Sequence, residues 1–204
     1  MYKEILNKKT KHILTKIGQN KVLKDFYLAG GTALALQINH RKSIDLDWFS
    51  GKPFSTKRLK EELRKIGSLK VNEEEEGTLN CVLDGVKISF FYYPYKKLFS
   101  SVGYEDVKLA DIRDIACMKI VAISSRGSKK DFIDIFFLLK EFSLKDLLIL
   151  FDKKYKGVEY NHVHILKGLT YFEESEKEPM PIMIREINWR DVKKEIKEEV
   201  RKLF

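Results

Sequence analysis

The stretch FYLAGGTALALQINHRKSIDLDWF, residues 26–49, decides the fold. It opens with a short apolar run of strand length, which Gly30 and Gly31 then interrupt. Good helix formers occupy residues 33–38, and after a polar turn residues 44–49 alternate between apolar and acidic side chains. The pattern predicts a strand, a glycine turn, a short helix, a turn and a second strand.

The second of these strands carries two acids. Successive side chains point to opposite faces of a strand, so Asp45 and Asp47 share one face, which Ser43 also shares. Two carboxylates about 7 Å apart suit Mg²⁺ or Mn²⁺, because such cations bind carboxylates together with substrate phosphates. Gly30 and Gly31 permit close backbone approach, and the helix start offers N–H groups to a phosphate. Together they suit a nucleoside triphosphate, although each feature alone is typical of a plain turn or a solvated strand.

Composition narrows the class of protein. With 204 residues and 44% hydrophobic residues, the chain suits one large domain or two small subdomains. Its net charge of +9 favours polyanionic partners such as RNA, DNA or nucleotides. No apolar run approaches the ~20 residues of a membrane span, and the N-terminal residues lack a signal-peptide core, so we expect a cytoplasmic protein. Cys81 and Cys117 have no metal-type spacing and are predicted to be buried thiols in a reducing compartment.

Other periodic segments complete the first half of the chain. Amphipathic helices are predicted near residues 3–17 and from Ser55 or Thr56 to residue 66. Residues 78–83 and 86–93 are rich in β-formers and are joined by Asp84-Gly85, a strong hairpin signal. Residues 69–76 read as a strand that becomes a solvated acidic edge, residues 100–106 as a loop, and residues 107–110 as a short strand.

The second half is predicted to be helical. Helices are expected at residues 112–125, 131–142, 144–155, 160–172 and 189–203, with a loop at residues 172–181, where prolines prevent a helix. We place a subdomain boundary at about Ala110, which divides the chain into residues 1–110 and 111–204.

A second chemical constellation lies in MKIVAISSRGSKKDFIDIFFLLK, residues 118–140. Basic side chains gather where one helix ends near Arg126 and the next begins near Asp131, and they would neutralise triphosphate charge. Structural alternatives exist. Ser128 and Asp131 fit a capping box, and Lys119 fits a lysine that reaches out of a packed interface. Lys129 is predicted to lie in an exposed turn.

These residues carry a family resemblance. The GGTALAL segment at 30–36, with Arg41, Ser43, Asp45 and Asp47, resembles the first motif of the AbiEii/AbiGii toxin family. Those proteins are nucleotidyltransferase-like toxins of bacterial toxin–antitoxin and phage abortive-infection systems. The family's helical motif is similar to a second set here, with a lysine where arginine is usual: Lys119, Arg126, Lys130, Asp131 and Asp134. Residues 179–196 also look like this family's C-terminus, so the similarity covers nearly the whole chain.

The resemblance implies a fold class. We expect an α/β (α+β) protein, in which residues 1–110 form a nucleotidyltransferase-like mixed sheet with flanking helices. Residues 111–204 would form a mainly helical subdomain that completes the active-site cleft. One position departs from the pattern, because the third acid of nucleotidyltransferases lies on a strand where this chain has Ser89. Metal binding would then rest on Asp45 and Asp47, or a later acid would contribute.

The resemblance also implies roles. The implied catalytic residues are Asp45, Asp47, Lys119 and Asp131, of which Asp45 and Asp47 also bind the metal. The implied nucleotide-binding residues are Gly30, Gly31, Thr32, Ser43 and Arg126, with Arg41, Lys130 and Asp134 as lesser candidates. The implied reaction transfers a nucleotide from an NTP to RNA, with a tRNA 3′ end as acceptor and a cognate antitoxin as partner. Two alternatives stay open: a nucleotide-binding regulatory module without transfer activity, and nucleotidylation of a protein side chain.

Overall fold

The computed structural model describes residue 2 and residues 5–204, which divide into two compact units. The first unit contains the residues up to Lys96 together with Ser100–Asp111, and the second contains Lys97–Phe99 together with Ile112–Phe204. Within the described part of the chain, no helix has both the length and the apolar character that crossing a membrane would require.

A seven-stranded mixed sheet forms the first unit. Its strands are β1 Tyr27–Ala29, β2 Leu46–Ser50, β3 Leu69–Glu75, β4 Thr78–Leu83, β5 Val86–Tyr92, β6 Val102–Tyr104 and β7 Val107–Leu109. They lie in the order β3-β4-β5-β2-β1-β7-β6, in which β2 with β5 and β1 with β7 are the parallel pairs. The helices of this unit are α1 Lys8–Gln19, a 3₁₀ helix at Lys21–Leu23, α2 Gly30–Ile38 and α3 Thr56–Ile66.

The predicted strand–helix–strand order is present at the centre of this sheet. Strand β1 passes directly into α2, because Gly30 adopts a φ of +69° that turns the chain without a loop. Strand β2 then returns antiparallel to β1 and places Asp47 opposite Ala29. The two glycines are therefore the first residues of the helix, and Asp47 lies beside the point where the strand becomes the helix.

Burial alternates along β2 as its sequence predicts. Leu46 and Trp48 face the core, where the Trp48 ring stacks on Phe90 with ring centroids 6.4 Å apart. Asp47 is half-buried on the other face, and Asp45, which immediately precedes the strand, is half-buried as well. The period of two thus separates the core residues Leu46 and Trp48 from Asp47, which shares its face with Phe49.

The hairpin prediction is confirmed and one loop prediction is wrong. Asp84 and Gly85 both have positive φ, 48° and 78°, as a two-residue hairpin turn requires. Residues 100–106, expected to be a loop, contain β6, which pairs antiparallel with β7. This strand has only three residues with Gly103 at its centre, so its local sequence has little strand propensity, and pairing with β7 decides its structure.

Helices form the second unit. They are α4 Ile112–Arg126, α5 Lys129–Leu138, α6 Leu144–Lys154, α7 His162–Thr170, α8 Glu173–Glu176 and α9 Trp189–Arg201. The short helix α8 lies in the segment predicted to be a loop, upstream of the prolines. In the first unit, α1 begins at Lys8, where the Asn7 side chain accepts a hydrogen bond from the Thr10 N–H. The earlier start predicted near residue 3 falls partly outside the described residues.

A buried ion pair explains why three residues of the preceding loop belong to the helical unit. The Lys154 Nζ lies 2.7 Å from the Asp114 Oδ1, and both side chains are 1% exposed. The Asp114 carboxylate also accepts hydrogen bonds from the N–H groups of Leu98 and Phe99. Since a buried carboxylate needs such partners, these bonds fasten the loop to α4.

Both cysteines are buried and free, as predicted from their spacing. Burial raises the pKa of the Cys81 thiol to about 11. Burial likewise raises the pKa of the Cys117 thiol to about 12. Thiols with such pKa values carry almost no thiolate at neutral pH, so both act as small core residues.

Candidate active site

The Asp47 carboxylate lies directly against the backbone of Gly30. A Cβ atom at Gly30 would come within 2.6 Å of Asp47 Oδ2, and the positive φ at Gly30 independently favours glycine. Because Gly30 has no Cβ atom, a side chain of β2 packs directly against the backbone at the start of α2. The start of α2 and the acidic strand form one site.

The next residues hold the acidic strand in place. The fully buried Thr32 Oγ1 lies 2.5 Å from the Asp45 carbonyl oxygen and 3.0 Å from Ser43 Oγ. A hydroxyl has one hydrogen, so Thr32 donates to the nearer Asp45 carbonyl and accepts from Ser43. Because its hydroxyl is used in this way, Thr32 fixes the backbone at Asp45 to helix α2.

Positive charge and N–H groups meet at the same helix start. A Cβ atom on Gly31 would lie 2.5 Å from a guanidinium nitrogen of Arg41 and 3.0 Å from Ser43 Oγ. The N-cap residue of α2, Ala29, makes no side-chain cap bond to the first-turn N–H groups. Arg41, a lesser candidate from the sequence, therefore adds its charge to an N-terminus that suits an anion.

The donor set fits a metal that the substrate helps to bind. The parallel register of β2 and β5 sets Asp47 beside Ser89, so the strand position of a third acid carries a hydroxyl. Across the described residues, no three His, Cys, Asp or Glu side chains are grouped as a metal site. Two carboxylates still fit Mg²⁺ or Mn²⁺, because such ions are commonly bound by one or two carboxylates together with substrate phosphates and water.

Gly30→Ala is expected to abolish activity and to lower the melting temperature. The new methyl group would displace the Asp47 carboxylate, and alanine at positive φ costs about 1–2 kcal/mol. Gly51→Ala is the matched control, because a Cβ atom there meets nothing within 4 Å. Thermal melting and nucleotide transfer assays on both variants test the expectation, and similar behaviour of the two would reject the close packing at Gly30.

The helical unit contains a second cluster, which brings together four predicted residues. The Lys119 Nζ lies 2.6 Å from Asp131 Oδ1 and 2.6 Å from Asp134 Oδ2, and both aspartates are fully buried. Arg126 donates from Nε to Asp131 Oδ2 at 2.9 Å, while 60% of its side chain is exposed. We call Lys119, Arg126, Asp131 and Asp134 the Lys119 cluster. Lys130 is exposed and lies outside it.

The capping-box alternative for Asp131 is wrong, because the Ser128 side chain makes no cap bond to α5. Ser128 Oγ instead donates to Glu178 Oε2, which also accepts from the Lys129 N–H at 2.8 Å. Lys129 is 6% exposed and its Nζ donates to the Glu178 carbonyl, so the prediction of an exposed turn is also wrong. Glu178 lies far along the chain in a predicted loop, and no local pattern identifies it.

The Lys119 cluster determines the charge state of Asp131. Burial by itself raises the pKa of the Asp131 carboxyl, but Lys119 and Arg126 outweigh burial and hold this pKa below the usual aspartate value. Lys119 does not reach out to solvent as the snorkelling alternative requires, because its side chain is only 6% exposed. As the ion pairs stand, Asp131 is a charged and well-paired carboxylate.

This lowered pKa predicts a specific dependence of stability on pH. Since the folded pKa lies below the unfolded one, Asp131 stabilises the fold above about pH 4, and this contribution is lost as the pH falls through the folded pKa. The gap in unfolding free energy between wild type and Asp131→Asn should stay constant from about pH 7 to 5 and shrink below about pH 4. Urea unfolding followed by circular dichroism measures it. A gap that shrinks already near pH 6 would mean that burial prevails and raises the pKa.

The exposed part of Arg126 borders a groove within the helical unit. The groove has a volume of about 520 Å³, and its lining includes Arg126, His164, Lys167 and Tyr171. The Tyr171 ring is 56% exposed. Arg126 is therefore bonded to Asp131 through Nε while much of its side chain remains accessible from this groove.

The structure thus has a mixed sheet, a helix that begins with two glycines, and an adjacent strand with Asp47 on it and Asp45 just before it, which is the arrangement expected of a nucleotidyltransferase. The model of the nucleotidyl transferase AbiEii toxin family, of the type IV toxin–antitoxin system, matches residues 12–203. The chain belongs to this family and is a nucleotidyltransferase toxin. Membership implies a nucleoside triphosphate substrate, a divalent metal and an antitoxin partner.

The chain is also similar to individual known proteins. An uncharacterized protein of Aquifex aeolicus (strain VF5) is 38% identical over 202 residues, which is 96% of each chain. JHP933 from Helicobacter pylori has a similar fold, with a TM-score of 0.58 and 15% identity over 97% of this chain and 93% of that one. MenT4, a nucleotidyltransferase toxin from Mycobacterium tuberculosis H37Rv, has a TM-score of 0.59 and 13% identity over 96% of this chain and 82% of that one. At these identities the solved structures support the fold alone.

Proposed function

We propose that this protein transfers a nucleotide from an NTP to an RNA acceptor, with a tRNA 3′ end as the acceptor. The observation that carries the proposal is the contact of the Asp47 carboxylate with the glycine that begins α2. It sets an aspartate, with Asp45 two residues before it, beside a helix start that suits an anion, and a metal-bound triphosphate needs both features. The acceptor oxygen bonds to the α-phosphorus, the bond from that phosphorus to the pyrophosphate oxygen breaks, and the acceptor proton passes to a base.

The first unit would bind and orient the triphosphate. The N–H groups of Gly30 and Gly31 would hold phosphate oxygens, and Arg41 would strengthen the positive potential there. Asp45 and Asp47 would hold the divalent ion, which supplies charge neutralisation on the phosphates when bound. Thr32, through its bond to the Asp45 carbonyl, acts as a positioning residue for that carboxylate.

The Lys119 cluster would supply the remaining charge and the base. Lys119 and Arg126 are the cations proposed to meet phosphate oxygens, and Asp134 holds Lys119 in position. Paired as it is, Asp131 is a weak base because its pKa is lowered. Lys119 and Arg126 hold the pKa of Asp131 down. If substrate phosphates bound these two cations instead, the Asp131 pKa would rise, and the carboxylate could accept the proton of the acceptor hydroxyl.

The proposed function is tested by asking which phosphate of the NTP is transferred, and to which fraction. The protein is incubated with each common NTP, labelled at the α-phosphate or at the γ-phosphate, with a divalent metal and either total RNA or total protein. Nucleotide transfer places the α label, and not the γ label, in the RNA fraction, and chelating the metal abolishes the incorporation. Incorporation of the γ label would indicate phosphoryl transfer and reject the proposal. Incorporation of the α label into protein alone would replace RNA with a protein side chain as the acceptor.

One observation favours a second candidate function. Ser89 puts a hydroxyl instead of a third carboxylate at the β5 position beside Asp47, and an incomplete metal site suits a nucleotide-binding regulatory module without transfer activity. The same experiment separates the two functions. A protein that binds NTP in equilibrium dialysis but labels neither RNA nor protein is the binding module.

A further inference from the structure

The exposed face of the last helix carries a row of cations. Arg190, Lys194, Lys197 and Arg201 are all exposed and recur on one face of α9, because residues three or four apart in a helix are neighbours. At 1.5 Å per residue, the row is roughly 16 Å long. We call these four residues the basic stripe.

The cations of the basic stripe are largely uncompensated. Arg190, Lys197 and Arg201 form no ion pair with any described residue, and Lys194 lies 3.9 Å from Glu198. Of the other acids of α9, Glu195 pairs with Lys140 and Glu199 with Lys202, so only the exposed Asp191 and Glu198 lie near the four cations. The helix therefore presents a positive surface although its sequence contains nearly as many acids as bases.

The helix is held in place by its opposite face. Val192, Ile196 and Val200 are buried and repeat every four residues, so they fix which side of α9 faces solvent. Lys197 Nζ also lies 5.6 Å from the centre of the Phe172 ring, which supports its stem against the protein. The stripe is thus presented by a packed helix of the helical unit.

The side chains of the stripe border a hollow that suits phosphate groups. Its volume is about 400 Å³, and it is lined by the basic stripe together with Lys193 and Glu198. All six lining residues are charged, whereas the cores of protein–protein interfaces are enriched in aromatic residues and depleted in lysine. Clustered lysine and arginine side chains are instead typical of contacts to a nucleic-acid backbone.

We propose that the basic stripe binds the phosphate backbone of the RNA acceptor. This inference rests on the proposed function, because that function makes RNA the substrate. Along the axis of a duplex, each strand presents about one phosphate per 3.4 Å, so roughly 16 Å is enough for four phosphates of one strand to meet four cations. Backbone contacts of this kind add affinity for any RNA sequence and leave base selection to other residues.

The test compares two variants that lose equal charge. The stripe variant carries Arg190→Gln, Lys197→Gln and Arg201→Gln. The control carries Lys145→Gln, Lys153→Gln and Lys156→Gln, which are exposed lysines on and just after α6 of the same unit. Binding of a fluorescent single-stranded RNA of about 12 nucleotides to the full chain is measured by anisotropy, without NTP, from about 50 to 200 mM KCl.

The salt dependence separates specific contacts from general charge. Each lost phosphate contact reduces the slope of log K against log salt by about 0.7 for a single strand, so the stripe variant should lose about 2 units of slope. Its affinity at about 50 mM salt should fall by about tenfold or more, while the control keeps the wild-type slope. Both variants should melt like the wild type, because the changed residues are exposed.

Several outcomes would overturn the inference. If both variants lose the same amount of slope, the basic stripe contributes only general positive charge. If the slope of the stripe variant is unchanged, the stripe does not bind RNA, even if it binds an acidic protein. Labelling separates this result from the proposed function. A wild type that binds RNA through the stripe but labels none leaves the inference standing and rejects transfer, whereas normal labelling with an unchanged KM for RNA in the stripe variant rejects the inference alone.

Discussion

Asp47→Asn should reduce nucleotide transfer by at least about 100-fold while the protein remains folded, and Asp45→Asn should do the same. Asparagine keeps the size of aspartate but loses its charge, so the two-carboxylate site would lose half of its negative charge. The stabilisation that a bound metal gives to a transition state is several kcal/mol, and about 2.7 kcal/mol already corresponds to a 100-fold loss. Initial rates of α-label incorporation measure this loss.

A control isolates the role of charge at this position. Glu76→Gln removes a carboxylate from the exposed turn between β3 and β4 of the same unit, and it should leave both transfer and melting temperature unchanged. Asp47 is half-buried, so its variant should melt close to the wild type. If either aspartate variant keeps near-normal turnover and a normal melting curve, Asp45 and Asp47 do not hold the metal.

Much of the fold could be predicted because its signals are local. The glycine pair, the acidic alternation and the Asp84-Gly85 turn each determine a structure within a few residues, and the structure has all three. Strand β6 was missed because it depends on pairing with β7 and has no periodicity of its own. The same reason applies to the cap of α5, whose acceptor is Glu178.

The sequence predicts which residues form the candidate site, but it does not predict the contacts between them. The sequence assembles Gly30, Asp45 and Asp47 from one continuous stretch, but it gives no sign that a Cβ at Gly30 would collide with Asp47. It also offered a cap as the explanation for Asp131, which would make Asp131→Asn nearly harmless to stability. In the structure that carboxylate bonds to Lys119 and Arg126, so the substitution removes part of a buried ion cluster.

The Lys119 cluster therefore predicts a difference between stability and activity. Lys119→Met alone removes the cation that both buried aspartates contact, and it should lower the unfolding free energy by about 3–5 kcal/mol. Adding Asp131→Asn and Asp134→Asn removes the remaining buried charges. Because buried neutral amides cost less than buried unpaired charges, the triple variant should recover part of that stability.

The activity of that triple variant shows whether the Lys119 cluster takes part in catalysis or only stabilises the helical unit. If Lys119 meets phosphates and Asp131 accepts a proton, the triple variant loses transfer by at least about 100-fold although it is folded, because neutral side chains can do neither. Urea unfolding and α-label incorporation, measured on the same preparations, give the two quantities. Since the Gly30 junction is untouched, NTP binding should persist in part. A triple variant that is stable and fully active would show that the cluster only supports the helical unit, and the base would have to be sought elsewhere.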